Sequence, residues 1–133
     1  MVTSPGRQTL RKSEHLYEKK AIETLFETGK TVSLSPVRLL WNAYEGVSEL
    51  PVKVAFTVPR RSFKKAVDRN LLKRRMREAY RKNKYILYGA AETAMKHYHL
   101  MFVYSAKDKA LYAEIESKIV LTLQRIADKT NGK

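Results

Sequence analysis

Apolar positions along the chain change period several times, and each change marks an element. Leu16, Ile22, Leu25 and Phe26 fall at helical spacing, with Gly29 placed as a C-cap would be, so a short amphipathic helix is expected from Leu16 to Phe26. In SPVRLLWNAYEG the period shortens to two. Val37, Leu39, Trp41 and Ala43 take one face of a strand, and Arg38, Leu40, Asn42 and Tyr44 the other. EGVSELP reads as a polar turn and VKVAFTVP as a second, β-branched strand closed by Pro59. Two strands across a short loop predict an antiparallel hairpin. Ser62 to about Tyr88 reads as one long helix stopped by Gly89. HLMFVYSA is a nearly continuous apolar strand of the buried kind. From Lys109 to about Asp128 a last helix carries Leu111, Ile115, Ile119, Leu123 and Ile126 along one side, and Leu111, Ile115, Ile119 and Leu123 are expected in the core. AAETAMKHYH is compatible with a helix and stays open. Without internal repeats, the order α-β-β-α-β-α predicts a single α+β domain.

Composition adds size and charge. The chain has 133 residues, 44% of them apolar, enough for one domain with a real core. Lys and Arg number 27 against 13 Asp and Glu, a net charge of +14. Such a charge is best tolerated beside a polyanion, either nucleic acid or an anionic membrane. Cysteine is absent, which removes disulfides, thiolate metal sites and cysteine nucleophiles. No apolar run reaches the ~18 residues of a membrane span. MVTSPGRQTLRKSEHLYEKK has no apolar h-region, so a cytoplasmic location is expected. The expected organisation is a flexible basic arm over 1–13, one domain over 14–128 and a tail over 129–133.

The charge is concentrated. Twelve of the 27 basic residues lie between Arg60 and Lys84, against Asp68 and Glu78. At about 100° per residue, Arg69, Asn70, Lys73, Arg74, Arg77 and Arg81 share an arc of roughly 140°. Leu71, Leu72, Met76, Ala79 and Tyr80 lie opposite, with Arg75 and Lys82 at the margin. A merely solvated face alternates its charges for i,i+4 pairing, and this one does not. Guanidinium groups that fork onto phosphates or stack on bases, mixed with an amide, suit RNA. A membrane-surface helix fits less well, because the apolar side lacks Trp, Phe and Ile and is needed to cover the sheet.

FKKAVDRNLLKRRMREAYR resembles the signature of the bacterial ribonuclease P protein component, through Ala66, Val67, Arg69, Asn70, Lys73, Arg74, Arg77, Glu78, Ala79 and Tyr80. LYEKKAIETLFETGKTV resembles that family's first helix, SPVRLLW its first long strand and VKVAFTVPRR the strand and basic turn before the signature. MFVYSAK with the helix after it also fits, so the resemblance spans about residues 14 to 128. It implies a small α+β sandwich with a mixed sheet of about four strands. It also implies that the basic helix lies in a left-handed βαβ crossover, against the general right-handed rule.

The resemblance further implies that the chain carries no catalytic residue. Hydrolysis and the Mg²⁺ ions belong to a catalytic RNA subunit, and the protein has no cofactor or metal of its own. Arg69, Asn70, Lys73, Arg74 and Arg77 would contact that RNA, with Arg81 on the same face and Arg60, Arg61, Lys64 and Lys65 extending it. Precursor tRNA would lay its 5′ leader in a cleft that includes Phe26 and Trp41, where stacking contributes about 1–3 kcal/mol per base. Two departures stand out. Ile22 occupies a usually aromatic cleft position, losing stacking but keeping van der Waals contact. The SFKK connection is one residue longer than in many relatives.

Other constellations are weak. His97 and His99 share a strand face but lack a third ligand nearby, and a structural zinc site needs four. His15 reads as an exposed polar residue. No G-x-S-x-G elbow, glycine-rich phosphate loop or paired carboxylates are present. For Phe26 and Trp41, core packing is the competing reading, as it is for Tyr80, Tyr85 and Tyr88 against base stacking. Two functions therefore compete: an RNA-binding subunit of the endoribonuclease that removes precursor-tRNA leaders, and a structural RNA-binding protein of ribosomal type. Only the first needs a leader site besides the structured-RNA surface.

Overall fold

The structure is a computed structural model and describes residues 10–46 and 50–130. The expected arm up to residue 9, part of the turn after Gly46 and the tail from 131 lie outside the described residues. Four strands, β1 (Lys30–Leu34), β2 (Val37–Glu45), β3 (Val52–Thr57) and β4 (Lys96–Tyr104), form one sheet in the order β1-β2-β4-β3. The helices among the described residues are α1 (Lys19–Thr28), α2 (Ala66–Asn83), α3 (Tyr85–Ala94) and α4 (Tyr112–Thr130), and a 3₁₀ turn spans Lys12–Glu14. The fold is α+β with a mixed sheet, as expected.

β4 occupies the middle because its apolar run suits a strand covered on both faces. β2 pairs with it antiparallel, Leu40 opposite Met101, and β3 pairs with it parallel, Ala55 opposite Met101. The expected hairpin of β2 and β3 is therefore absent. β2 takes β1 and β4 as its neighbours, which leaves β3 to the far edge of β4. β1, unassigned in the sequence, turns back into β2 at Ser35–Pro36, whose peptide is cis. Its outward residues are exposed and only Val32 is fully buried, so its pattern is too weak to read.

The sheet is packed on both faces. Leu72, Met76 and Tyr80 of α2, Leu87 of α3 and Ile115, Ile119 and Leu123 of α4 bury one face, against Leu39, Trp41, Val54, Leu100 and Phe102. On the other face α1 sets Leu25 against Leu40 and Met101, joined by Leu16. Gly29 caps α1 as expected, its N–H donating to Leu25 O at 2.9 Å. A Cβ there would stand 2.4 Å from that oxygen, so the approach itself demands glycine. The helix begins at Lys19 rather than Leu16, because Leu16 N–H is engaged by Val54 O at 2.8 Å.

The single helix expected from Ser62 to Tyr88 is two. Residues 60–65 form a turn on Pro59, whose carbonyl accepts from Ser62 and Phe63 N–H. α2 then ends at Asn83, and Leu87 and Tyr88 N–H both turn to Lys84 O. Lys84 is drawn inward. Its ammonium lies 2.7 Å from the Glu14 carboxylate, both side chains buried, and Tyr88 hydroxyl donates to the same oxygen. Gly89 sits inside α3, and the stop falls on Met95, whose left-handed backbone (φ 56°) lets its N–H donate to Ala91 and Glu92 carbonyls. Glu14 also accepts from Arg11 N–H at 2.8 Å, and Leu10 packs on the core. Residues 10–13 are thus part of the domain rather than of an arm. Lys129 and Thr130, placed in the tail, belong to α4.

Candidate nucleic-acid interface

The basic helix is oriented from its apolar side. Leu72, Met76, Ala79 and Tyr80 are wholly buried, which turns Asn70, Arg74 and Arg77 outward, with Arg69, Lys73 and Arg81 half-buried at the border. Buried Val58 and Phe63 anchor the preceding turn and leave Arg60, Arg61, Lys64 and Lys65 exposed. The expected site residues outside the cleft thus lie on the turn 60–65 and on the side and border of α2 turned away from the core.

They are not equivalent. Arg69 donates to the carbonyls of Phe63 and Lys64, both at 2.8 Å, and so closes the turn onto the helix. Arg81 forks onto Glu78 at 2.5 and 3.1 Å, and its hydrogen bond, with its charge, holds the Glu78 carboxyl below its usual range against the opposing effect of burial. Arg75, at the margin, donates to Ala110 O at 2.6 Å and ties α2 to the segment before α4. Arg60, Arg61, Lys64, Lys65, Lys73, Arg74 and Arg77 make no ion pair among the described residues. A rigid, unpaired cationic surface of this kind attracts phosphates and can retain counterions for release on binding.

The cleft residues separate. Phe26 is 61% exposed on α1, and Ile22 packs partly buried beside Leu25 and Leu40. Trp41 is 3% exposed and lies on the other face of the sheet, its ring 6.0 Å from that of Tyr98 and capped by the Lys30 ammonium at 4.7 Å. Phe26 and Trp41 therefore line no common cleft, a correction that follows from which face α1 covers. On the α1 side the strand position at this level is Leu40. Asn42, His99 and Lys53 continue that face in one direction, Arg38, Val103 and Thr57 in the other.

Register also assembles what spacing could not. Tyr44 stacks on His97 with centroids 5.4 Å apart and meets the edge of His99 at 5.0 Å. Burial, with His97 and Lys53 nearby, lowers the pKa of His99. Among the described residues no three His, Asp or Glu side chains gather as a metal site would require. The buried Glu14–Lys84 pair carried no sequence signal, since 70 residues separate its members.

Comparison with known proteins decides between RNA-binding roles. The family described as Ribonuclease P matches residues 10–127. The chain belongs to the ribonuclease P protein family. The ribonuclease P protein component of Porphyromonas gingivalis is 30% identical over 126 residues, covering 95% of this chain and 92% of that protein. That of Chlorobaculum tepidum is 36% identical over 118 residues, covering 84% and 77%. Among solved structures, the ribonuclease P protein of Thermotoga maritima superposes with a TM-score of 0.66 at 21% identity, covering 84% of this chain and 96% of that one. The Staphylococcus aureus protein gives 0.58 at 16% identity, covering 87% and 96%. Membership makes the chain the protein subunit of ribonuclease P, an endoribonuclease of tRNA processing with an RNA partner. Among the described residues no helix is long and apolar enough to cross a membrane.

Proposed function

We propose that the chain binds the catalytic RNA subunit through the turn 60–65 and the outward face of α2, and guides the 5′ leader of precursor tRNA along the α1 side of the sheet. The observation that carries this reading is the set of seven cations without ion pairs among the described residues, on a helix and turn whose other side is locked in the core. Arg74 and Arg77 supply phosphate contacts; Asn70 adds an amide between them that both donates and accepts. Arg69 is a positioning residue first, holding the turn that aims Lys64 and Lys65. On the α1 side, exposed Phe26 offers a stacking face and Ile22 an apolar contact, without sequence reading. Hydrolysis is assigned to the RNA subunit with its Mg²⁺, and the setting to the cytoplasm.

The test is 5′-leader cleavage of precursor tRNA by the catalytic RNA at near-physiological Mg²⁺, with and without this protein. Stimulation is expected, and its loss when Arg74 and Arg77 are both changed to Ala. Tight RNA binding by the folded chain without any stimulation would count against a leader-guiding role.

A further inference from the structure

At the outer edge of the sheet, a cavity of about 240 Å³ opens between the segment before α1, strand β3 and the basic helix. Its walls are of two chemical kinds. His15 and Tyr17 form an aromatic side, their rings stacked 5.9 Å apart at 29°, and Tyr17 is 64% exposed. Lys73 and Arg77, one turn apart on α2, form a cationic side and have no ion pair among the described residues. Val54, Ala55 and Phe56 of β3 and Leu16 complete the lining.

The aromatic side is fixed although it is exposed. Leu16, which separates the two residues in sequence, is buried against Leu25, Leu40 and Met101, its N–H donates to Val54 O, and His15 bridges to Val54 as an added parallel strand position. Buried Glu14 anchors the same segment from the other end. Burial and the Arg77 charge both lower the pKa of His15, so at neutral pH it offers a ring face rather than a third cation.

We propose that this cavity takes one unpaired nucleotide of RNA, its base laid against the exposed Tyr17 ring and its phosphate between Lys73 and Arg77. The inference rests on the RNA-binding reading above and extends it from the expected cationic surface, to which Lys73 and Arg77 belong, to an aromatic wall at His15 and Tyr17 outside the expected surface and cleft. The volume is below the ~300 Å³ at which drug-sized pockets begin, which suits one base and not a longer segment. A paired base has both faces covered by its neighbours, so only a splayed-out or single-stranded one can stack here. An aromatic face beside cations is the combination that single-stranded nucleic acid uses. An acidic peptide would engage the cations and leave Tyr17 idle.

The nucleotide can come from the catalytic RNA or from the leader of a precursor. Hexa-adenylate and a base-free ribose-phosphate oligomer of equal length are the probes, titrated against the full chain. Tyr17→Ala should weaken hexa-adenylate binding about tenfold, within the span that stacking of one base gives, and leave the base-free oligomer unaffected. Tyr17→Phe should restore binding. No loss, an equal loss for both oligomers, or equal competition by hexaglutamate overturns the proposal. In the holoenzyme, a lower affinity for catalytic RNA in Tyr17→Ala assigns the nucleotide to that subunit, and a raised KM for leader-bearing precursor alone assigns it to the leader. A chain that restores cleavage but fails the oligomer test loses the cavity and keeps its subunit role. One that binds no catalytic RNA loses the underlying reading.

Discussion

Arg69 and Arg74 lie five residues apart in one motif and do different things. Arg69 holds two carbonyls of the turn, whereas Arg74 is exposed and makes no contact of that kind. Arg74→Ala should therefore leave the melting temperature unchanged while flattening the dependence of log affinity on log salt by about 0.7–0.9, the value of one phosphate contact. Arg69→Ala should lower both affinity and melting temperature, because the turn loosens. Equal melting temperatures for the two variants would remove the positioning role. Phe26 and Trp41 separate in the same way. Trp41→Ala opens a cavity in the main core and should destabilise the fold by about 3–5 kcal/mol, weakening precursor and mature tRNA alike. Phe26→Ala removes an exposed ring, so it should weaken leader-bearing precursor selectively; equal effects on precursor and mature tRNA would take Phe26 out of the leader path. Alternation placed Trp41 and Leu40 on opposite faces from the sequence, but it could not say which face α1 covers.

At the scale of elements, the break between α2 and α3 is set by a charge pair rather than by a helix breaker. Gly89 tempts a stop, yet the flanking Leu87, Ala90 and Ala91 are buried and keep the turn helical. Lys84 instead reaches Glu14, a partner whose sequence distance hides it from any local pattern. Burial pushes the Glu14 carboxyl up, but hydrogen bonds from Lys84, Tyr88 and Arg11 outweigh that and leave it below its usual value. A carboxyl depressed in the folded state stabilises above its unfolded pKa and loses that contribution as pH falls through the folded value. Urea midpoints should therefore drop below about pH 4.5, and Glu14→Gln should flatten that drop. Glu14→Ala leaves Lys84 buried without its carboxylate and should cost about 3–5 kcal/mol at neutral pH. An unchanged midpoint would mean that the pair contributes nothing. Helix α4 from Ile115 onward and the apolar face of α2 were legible because their periodicity is local, whereas Leu111, expected in the core, stands exposed just before α4 begins at Tyr112. β1 and the order of strands were not, because a weak edge strand and a crossover are decided by packing across the whole sheet.

For the whole molecule, a charge of +14 on 133 residues sets the behaviour of the free protein. Self-repulsion destabilises it in low salt, and RNA bound at a hundred times its Kd adds about 2.7 kcal/mol of stability. Melting temperature should rise with added sulfate and rise further with catalytic RNA; insensitivity to both would contradict an unpaired cationic face. The α+β class and the basic helix were readable in the chain, and so was the family signature around Arg69 and Asn70. The two-sided packing that separates Phe26 from Trp41 was not.

The sheet is also assembled out of order with respect to synthesis. β4 lies between β2 and β3, yet it leaves the ribosome after both of them and after all of α2. At about 5–20 residues per second, the ~50 residues between β2 and β4 leave several seconds in which the nascent chain has no central strand. During that interval the inner edges of β2 and β3 stay open and the apolar side of α2 has no complete surface to cover. Until then the emerging basic turn and helix have no packed sheet to aim them at a polyanion, and a chain truncated before Lys96 should be captured by chaperones rather than by RNA.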